Sequence, residues 1–138
     1  MGSWWNDFKS NAISLLSAKP QVATATFNGD GVDMTNAEIG LFALLQVGAV
    51  SGTNPTLDVT IEESDDNSTF TAVNDFRTGV AAAFAQITTA DQIVALTFKR
   101  SKKFIRLVPT IGGSSPSFAL AGSLHGLRKS RSTDEDLS

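Results

Sequence analysis

The chain offers little material for acid–base or nucleophilic chemistry. His125 is its one histidine, and the 138 residues include no cysteine and no tyrosine. Histidine is the usual general acid or base near neutral pH, but a single histidine beside Gly126 at a predicted strand end more often lines that strand. The serines form no Gly-x-Ser-x-Gly elbow, and no Gly-x-x-x-x-Gly-Lys phosphate loop occurs. The sequence therefore predicts a protein that is not an enzyme and holds no cofactor.

Four carboxylates lie close together, at Glu62, Glu63, Asp65 and Asp66. Carboxylates at such spacing can converge on a hard cation, although their order does not match an EF-hand. Asp65-Asp66-Asn67-Ser68 is also a strong turn sequence, because Asp and Asn side chains hydrogen-bond the backbone ahead of them. We expect a hairpin turn rather than a metal site, and the sequence leaves open whether these carboxylates bind a cation.

A basic cluster follows at Lys99, Arg100, Lys102 and Lys103. Nucleic-acid binding would need a basic face, and single strands would also need aromatic side chains on which bases stack. The cluster has no interleaved aromatic residue, and the whole chain has a net charge of −3. We therefore expect no direct contact with nucleic acid, and we expect Arg106 to form a paired contact across the sheet or a subunit boundary.

The first residues carry the strongest signal for a protein partner. Large aromatic side chains near a terminus are costly to expose, and they are typical anchors of protein interfaces. The sequence leaves open whether they pack on the chain's own core or on a neighbouring subunit. The predicted partner-binding residues are Trp4, Trp5, Phe8, Leu15 and Leu16.

Apolar residues between positions 3 and 18 recur at spacings of three and four, which predicts a short N-terminal helix. Ser3 is a suitable cap for this helix, and Pro20 is a suitable end. Domain boundaries follow from this pattern: an arm or helix over residues 1–20, a β domain over 21–127, and a polar, flexible tail over 128–138.

Alternating side chains predict strands in the remainder of the chain. In TLDVTIEES, Leu57, Val59 and Ile61 fall on one face, and in KKFIRLVPTI Ile105 and Leu107 do the same. We expect these two segments to be partners, with Pro109 ending the ladder. Six further segments give eight short strands, which favour a single all-β sandwich of jelly-roll type. They are QVATATF, EIGLFALLQV, TFTAV, AAFAQIT, QIVALTF and SFALAGSLHG.

Two of these segments are ambiguous. Residues 37–50 are almost continuously apolar, which fits a strand buried on both faces but also a helix. Residues 81–85 are rich in alanine, which favours a helix locally, while Phe84 and Ile87 suit a sheet. The glycines that flank the first segment favour a strand there.

Composition limits the class of protein. Hydrophobic residues make up 41% of the chain and charged residues 18%, which is typical of a soluble domain. No apolar run approaches the roughly 20 residues needed to cross a bilayer. The absence of cysteine removes disulfides and thiolate metal sites, so packing, hydrogen bonds and assembly must stabilise the fold.

The segment LDVTIEESDDNSTFTAV, followed by FKRSKKFIRLVPTIGGSSPSFALAGSLHGLRK, resembles a family of small structural proteins of tailed bacteriophages. The resemblance spans about residues 22–129 and consists of turns and strands rather than catalytic residues. It implies a capsid decoration, or cement, protein that sits on the phage head surface. It also implies the major capsid protein or another virion protein as partner, homotrimers around local symmetry axes, and synthesis in the bacterial cytoplasm.

Two other functions are compatible with the sequence. One is a structural protein of the neck, tail or fibre base of the virion. The other is a carbohydrate-binding sandwich, because such modules present aromatic platforms to sugars, although both tryptophans fall in the predicted helix. Under the leading interpretation, deletion of residues 1–19 is expected to leave a folded β domain that no longer joins its assembly.

Overall fold

A computed structural model describes residues 12–75 and 78–128. All strand pairs are antiparallel, and no helix occurs among the described residues, so the prediction of an all-β protein is confirmed. The described residues therefore include no helix that could span a membrane. The strands are β1 Ala12–Ala23, β2 Val32–Asp33, β3 Ile39–Ser64, β4 Thr71–Ala72, β5 Asn74–Asp75, β6 Gln92–Lys99 and β7 Phe104–Leu127.

Strands β3 and β7 form a long ribbon that supplies most of the core. The alternation seen in the sequence places Leu57, Val59 and Ile61 on the buried face, with at most 1% of each residue exposed. Their partners across the ribbon include Leu107, which lies opposite Ile61 and is fully buried. The predicted pairing of these two segments is therefore confirmed.

Pro109 lies inside β7, opposite Val59, so the prediction that it ends the ladder is wrong. Proline removes only the N–H donor of one residue, and its carbonyl still accepts a hydrogen bond from Phe27 N at 3.2 Å. The ladder continues from there to Leu127.

The ribbon folds back on itself. A straight strand from Leu107 to Gly122 would span roughly 50 Å at the usual rise per residue. Yet Leu107 Cδ1 packs so closely on Gly122 that a Cβ there would come within 2.5 Å of it. Ser17 of β1, which pairs with the second half of β7, also contacts the first half. Its Oγ accepts a hydrogen bond from Leu107 N at 2.9 Å and donates one to the Asp30 carbonyl at 2.8 Å. Each long strand therefore contributes to two packed layers.

The same backbone pattern makes the corner in both strands. A glycine with positive φ is followed two residues later by a second residue with positive φ and then by proline: Gly52, Asn54 and Pro55 in β3, and Gly113, Ser115 and Pro116 in β7. The two corners cross at short distance. A Cβ on Gly52 would lie 2.6 Å from the Ser115 carbonyl oxygen, and one on Gly113 would lie 2.6 Å from that of Asn54.

The layers have the strand order of a jelly roll. The first layer runs β1, the second half of β7, the first half of β3, and β6. The second layer holds the first half of β7, the second half of β3, β2 and β4. Each long strand thus counts as two of the eight strands that a jelly roll contains, which confirms the predicted sandwich. The separate strands predicted on either side of each corner are thus the halves of β3 and β7.

The predicted N-terminal helix is wrong where the structure describes it. Residues 12–18 belong to β1, which pairs with β7 from Ala12 to Ala23 and crosses the predicted arm boundary at residue 20. Sheet pairing and burial outweigh the helical spacing, because Ser17 and Ala18 are at most 1% exposed in the core. Deletion of residues 1–19 would remove these core residues, so we expect the truncated chain to be less stable than the whole one. Residues 1–11 and 129–138 lie outside the described residues.

The two ambiguous segments are extended. Residues 39–50 are strand, with one buried face rather than two, and residues 81–87 form isolated bridges to neighbouring segments. Phe84 N donates to the Val59 carbonyl at 3.0 Å, and Ile87 N donates to that of Leu57 at 2.9 Å. The alanine-rich segment thus covers the edge of the second layer.

The corners predict a specific sensitivity to glycine substitution. Gly113→Ala or Gly52→Ala is expected to lower the free energy of unfolding by about 2–4 kcal/mol, because each adds a clash with backbone to a positive-φ position. Gly48→Ala is the matched control, since its nearest new contact would be 3.7 Å away. Chemical denaturation checks this, and equal effects at positions 48 and 113 would contradict it.

Candidate interaction surface

The outward side of the first layer, called here the outer face, is built from residues that alternate with the core positions of its four strands. The register aligns three rows across the sheet. These rows are Ser14, His125, Phe42 and Thr97; Leu16, Ser123, Leu44 and Ala95; and Ala121, Gln46 and Ile93. None of these side chains is acidic or basic, apart from the one imidazole.

Several large apolar side chains on or beside this face are open to solvent. Ile93 is 72% exposed, Val22 66%, and Leu16 and Ile39 48% each. Single exposed apolar residues are common, but an uncharged surface that spans four strands is typical of a contact site for another macromolecule. The outer face is therefore the candidate interaction surface.

His125 lies in the first row of the outer face. Its Nδ1 is 2.9 Å from Ser14 Oγ, its Nε2 is 2.7 Å from Ser123 Oγ, and its ring stacks on Phe42 with centroids 4.7 Å apart. Partial burial lowers the pKa of this imidazole below its ordinary value of 6.5. The neutral ring is favoured at pH 7, which keeps the outer face uncharged.

A serine beside an imidazole can be a nucleophile with its base, but such pairs usually have a third group that orients the imidazole. Here both ring nitrogens of His125 are bound by serine hydroxyls, from Ser14 on β1 and Ser123 on β7. The arrangement ties the edge strand β1 to its neighbour β7.

The acidic cluster is divided among separate structural contacts. Glu62 lies opposite Arg106 across the ribbon, and its Oε1 accepts from Arg106 Nη2 at 2.7 Å and from Nε at 3.0 Å. The guanidinium carbon of Arg106 also lies 3.8 Å from the ring centroid of Phe70. The cross-strand contact predicted for Arg106 is therefore present within the sheet.

Glu63 points the other way, into the protein, and is only 7% exposed. Its carboxylate accepts hydrogen bonds from Ser101 N at 2.8 Å, Ser101 Oγ at 2.9 Å and Lys102 N at 3.2 Å. The buried Glu63 carboxylate thus holds the turn between β6 and β7. The charge-assisted hydrogen bonds from this turn compensate for the burial of the carboxylate.

Asp66 organises the turn that follows β3, as the sequence predicts. Its Oδ1 accepts from Thr69 N and Ser68 N, both at 2.9 Å, and from Ser64 Oγ at 2.8 Å. These donors, led by the Thr69 N–H, lower the pKa of Asp66 to about 2. Among the residues that the structure describes, no group of three acidic, histidine or cysteine side chains is placed to hold a metal ion.

The basic cluster is also partly engaged in the fold. The Arg100 guanidinium donates to the carbonyls of Thr35, Ala37 and Lys102, each at 3.0 Å. Lys103 Nζ lies 3.8 Å from Asp33 Oδ2. Arg100 thus ties the turn before β7 to the segment that precedes β3.

The structure describes two of the five predicted partner-binding residues. Leu15 and Leu16 are consecutive in a strand and face opposite sides: Leu15 is half-buried against the core, and Leu16 lies on the outer face. Of these two residues, Leu16 has the exposure that a contact residue needs. Trp4, Trp5 and Phe8 lie outside the described residues.

Sequence reasoning missed the outer face itself. Phe42 and Leu44 alternate with the buried Leu41, Ala43 and Leu45, so both faces of this strand are apolar. Taken from the sequence alone, that pattern predicts a strand buried on both faces, or a helix. The signal in the sequence is the second apolar face of this strand. No other layer of the described residues covers that face, so it is a surface for another molecule.

No protein-family model and no curated protein sequence matches the chain. Among solved structures, the chain is similar to the SPBc2 prophage-derived protein YomS, with 9% identity over 84% of this chain and 94% of that one, at a TM-score of 0.45. It is also similar to a chain of infectious bursal disease virus, Gx strain, with 12% identity over 83% of this chain and a TM-score of 0.50.

A third similar structure is the VP2 subviral particle of infectious bursal disease virus, with 19% identity over 83% of this chain and a TM-score of 0.37. The chain spans only 30% of the Gx strain protein and 29% of the VP2 protein. At these identities the likeness to the Gx strain protein shows a shared fold and nothing more.

The environment of His125 predicts a pH dependence. In the unfolded chain the imidazole has a pKa near 6.5, and in the folded protein burial lowers that pKa. Between these two values the unfolded chain binds more protons, so acidification favours unfolding. The free energy of unfolding is expected to fall as the pH drops from 7 to 5, and His125→Gln is expected to remove most of that decline. A wild-type protein with constant stability over this interval would contradict the prediction.

The buried Glu63 carboxylate gives a second prediction. Glu63→Ala leaves the backbone donors of Ser101 and Lys102 without their acceptor, and we expect it to lower the free energy of unfolding by about 2–4 kcal/mol. The exposed neighbour Asp65 is the control, because substitution of a surface turn residue changes stability by about 0.5 kcal/mol or less. Urea unfolding curves of Glu63→Ala and Asp65→Ala measure this difference. Equal midpoints for the two variants would contradict the prediction.

Proposed function

We propose that the protein is a non-enzymatic structural component of a bacteriophage virion that decorates and stabilises the head shell. The observation that carries this proposal is the uncharged outer face on a jelly-roll body, which offers a surface for another protein. A shell under internal pressure gains resistance when a bound protein bridges its subunits, because each bridge adds contact free energy that must be lost before they separate. This role requires a rigid body and an adhesive surface, and no reaction.

The fold supports the proposal at a coarse level. Jelly rolls are common in viral capsid proteins, and the chain shares its fold with a protein of infectious bursal disease virus. The sequence resemblance to small phage structural proteins points in the same direction. Under this proposal the partner is the major capsid protein or another virion protein, and the mature location is the head surface after synthesis in the host cytoplasm.

The contact with the shell is proposed to involve the N-terminal residues together with the outer face. Trp4, Trp5 and Phe8 precede β1, whose exposed Leu16 lies on that face, so the two groups are continuous along the chain. Aromatic anchors surrounded by uncharged surface are typical of interface hot spots. We also propose that several copies associate with one another, as the trimer that the resemblance implies.

Binding to empty head shells of the encoding phage tests this function. Purified protein is expected to co-sediment with the shells in a saturable manner. The triple variant Trp4→Ser, Trp5→Ser, Phe8→Ser and the single variant Leu16→Lys are each expected to bind about tenfold or more weakly, because truncated anchors and a buried charge both weaken an interface.

Thr110→Lys is the matched control for these variants, because Thr110 is exposed on the second layer, away from the outer face. This substitution is expected to leave binding unchanged. Normal binding by the triple variant and by Leu16→Lys would refute the proposed contact surface. Failure of the wild-type protein to bind shells would refute the function.

A further inference from the structure

A groove runs between β3 and β6 at the end of the first layer where β3 begins. Its volume is about 760 Å³, which is within the range of protein sites that hold small ligands. Phe42, Ala95 and Thr97 of the outer face line this groove, together with Ile39, which is 48% exposed. Apolar side chains in such a groove are more stable when they are covered than when they face water.

The N-terminal residues 1–11 enter the fold beside this groove. Ala12, where β1 begins, pairs with Leu127 of β7, and Leu127 pairs with Ile39 of the groove. Two strand spacings separate Ala12 from Ile39, which is a distance of about 10 Å. Trp5 precedes Ala12 by seven residues, and an extended chain of that length reaches roughly 23 Å. The chain is therefore long enough to bring its tryptophans into its own groove.

We propose that residues 4–8 dock in this groove of their own chain and cover it with Trp4, Trp5 and Phe8. Three of these five residues are aromatic, which no other stretch of this length in the chain matches. Aromatic side chains gain the most from burial in an apolar groove. The docking concerns the free protein, and it does not depend on the proposed attachment to a phage shell.

Charge at the rim of the groove also suits this segment. Asp7 lies between Trp5 and Phe8 in the sequence, and Lys99 is exposed among the lining residues of the groove. Docking of the aromatic residues brings the Asp7 carboxylate to the rim that carries Lys99. Opposite charges at such a rim add specificity to an apolar contact.

The tether selects this segment over a separate partner. A segment that the chain holds close to a site has an effective concentration in the millimolar range, so weak apolar contacts are enough to keep it docked. The C-terminal residues 129–138 follow the same end of the sheet, because they come after Leu127 and Arg128. They have one apolar residue, Leu137, and therefore match the groove poorly.

Tryptophan fluorescence of the purified full-length chain tests the docking, because Trp4 and Trp5 are its only tryptophans. Docked indoles are expected to be shielded from acrylamide. Thr97→Lys places a charge in the groove, and we expect quenching by acrylamide to become about twofold stronger as the indoles return to water. Thr110→Lys is the matched control, since it makes the same change at an exposed position of the second layer and is expected to leave quenching unchanged.

Circular dichroism checks that both lysine variants remain folded, which we expect because both threonines are exposed. Wild-type tryptophans that are quenched as strongly as free tryptophan would show that the segment does not dock. Equal quenching of the Thr97→Lys and Thr110→Lys variants would show that it docks elsewhere. Either result would overturn the proposal.

An engineered disulfide tests whether the segment docks on its own chain, because the chain has no cysteine. The pair Asn6→Cys and Thr97→Cys is expected to close within one chain, about tenfold faster than the pair Asn6→Cys and Asn36→Cys. Position 36 is exposed and outside the groove, yet it is near the start of β1, since Glu38 N donates to the Leu127 carbonyl at 3.0 Å.

An undocked segment would react with position 36 at least as fast as with position 97. That result would overturn the proposal. A disulfide-linked dimer of twice the 14.6 kDa chain mass would overturn it as well, because the groove would then hold the segment of a second copy.

Discussion

The architecture depends on two backbone corners that cross. Strands β3 and β7 are each too long for a small sandwich, and they fit because Gly52 and Gly113 turn both strands at the same place. Their missing side chains let each glycine approach the other strand's backbone, where a Cβ would lie 2.6 Å from a carbonyl oxygen. One folded ribbon therefore builds both layers, and Leu107 packs on Gly122 of its own strand.

The folding of the ribbon also determines where apolar side chains stay exposed on the surface. The core is completed between the two layers, so the apolar residues on the opposite side of β3, including Phe42 and Leu44, remain on the outer face. The polar clusters of the sequence are used internally: Glu63 and Arg100 hold the turn before β7, and Glu62 pairs with Arg106. Among the residues that the structure describes, the largest uncharged surface of the first layer is therefore its outer face.

Local patterns predicted much of this structure. The alternation of Leu57, Val59 and Ile61 and the turn at Asp66 were evident, because each depends on residues within a few positions. Two features depended on distant contacts and were missed. The helical spacing around Leu15 and Leu16 was overridden by pairing with β7, more than a hundred residues away. The glycine-proline segments have the residues of turns between strands, yet β3 and β7 each continue through them. They do so because the two corners pack against each other.

Under the proposed function, this jelly roll covers a viral shell in many copies. Quantitative mass spectrometry of washed, purified particles of the encoding phage measures it directly, as copies of this chain relative to the major shell protein. We expect a copy number of the same order as that of the shell protein. Six or twelve copies per particle would place the protein at the portal or neck instead, and its absence from the particles would rule out a structural role in the virion.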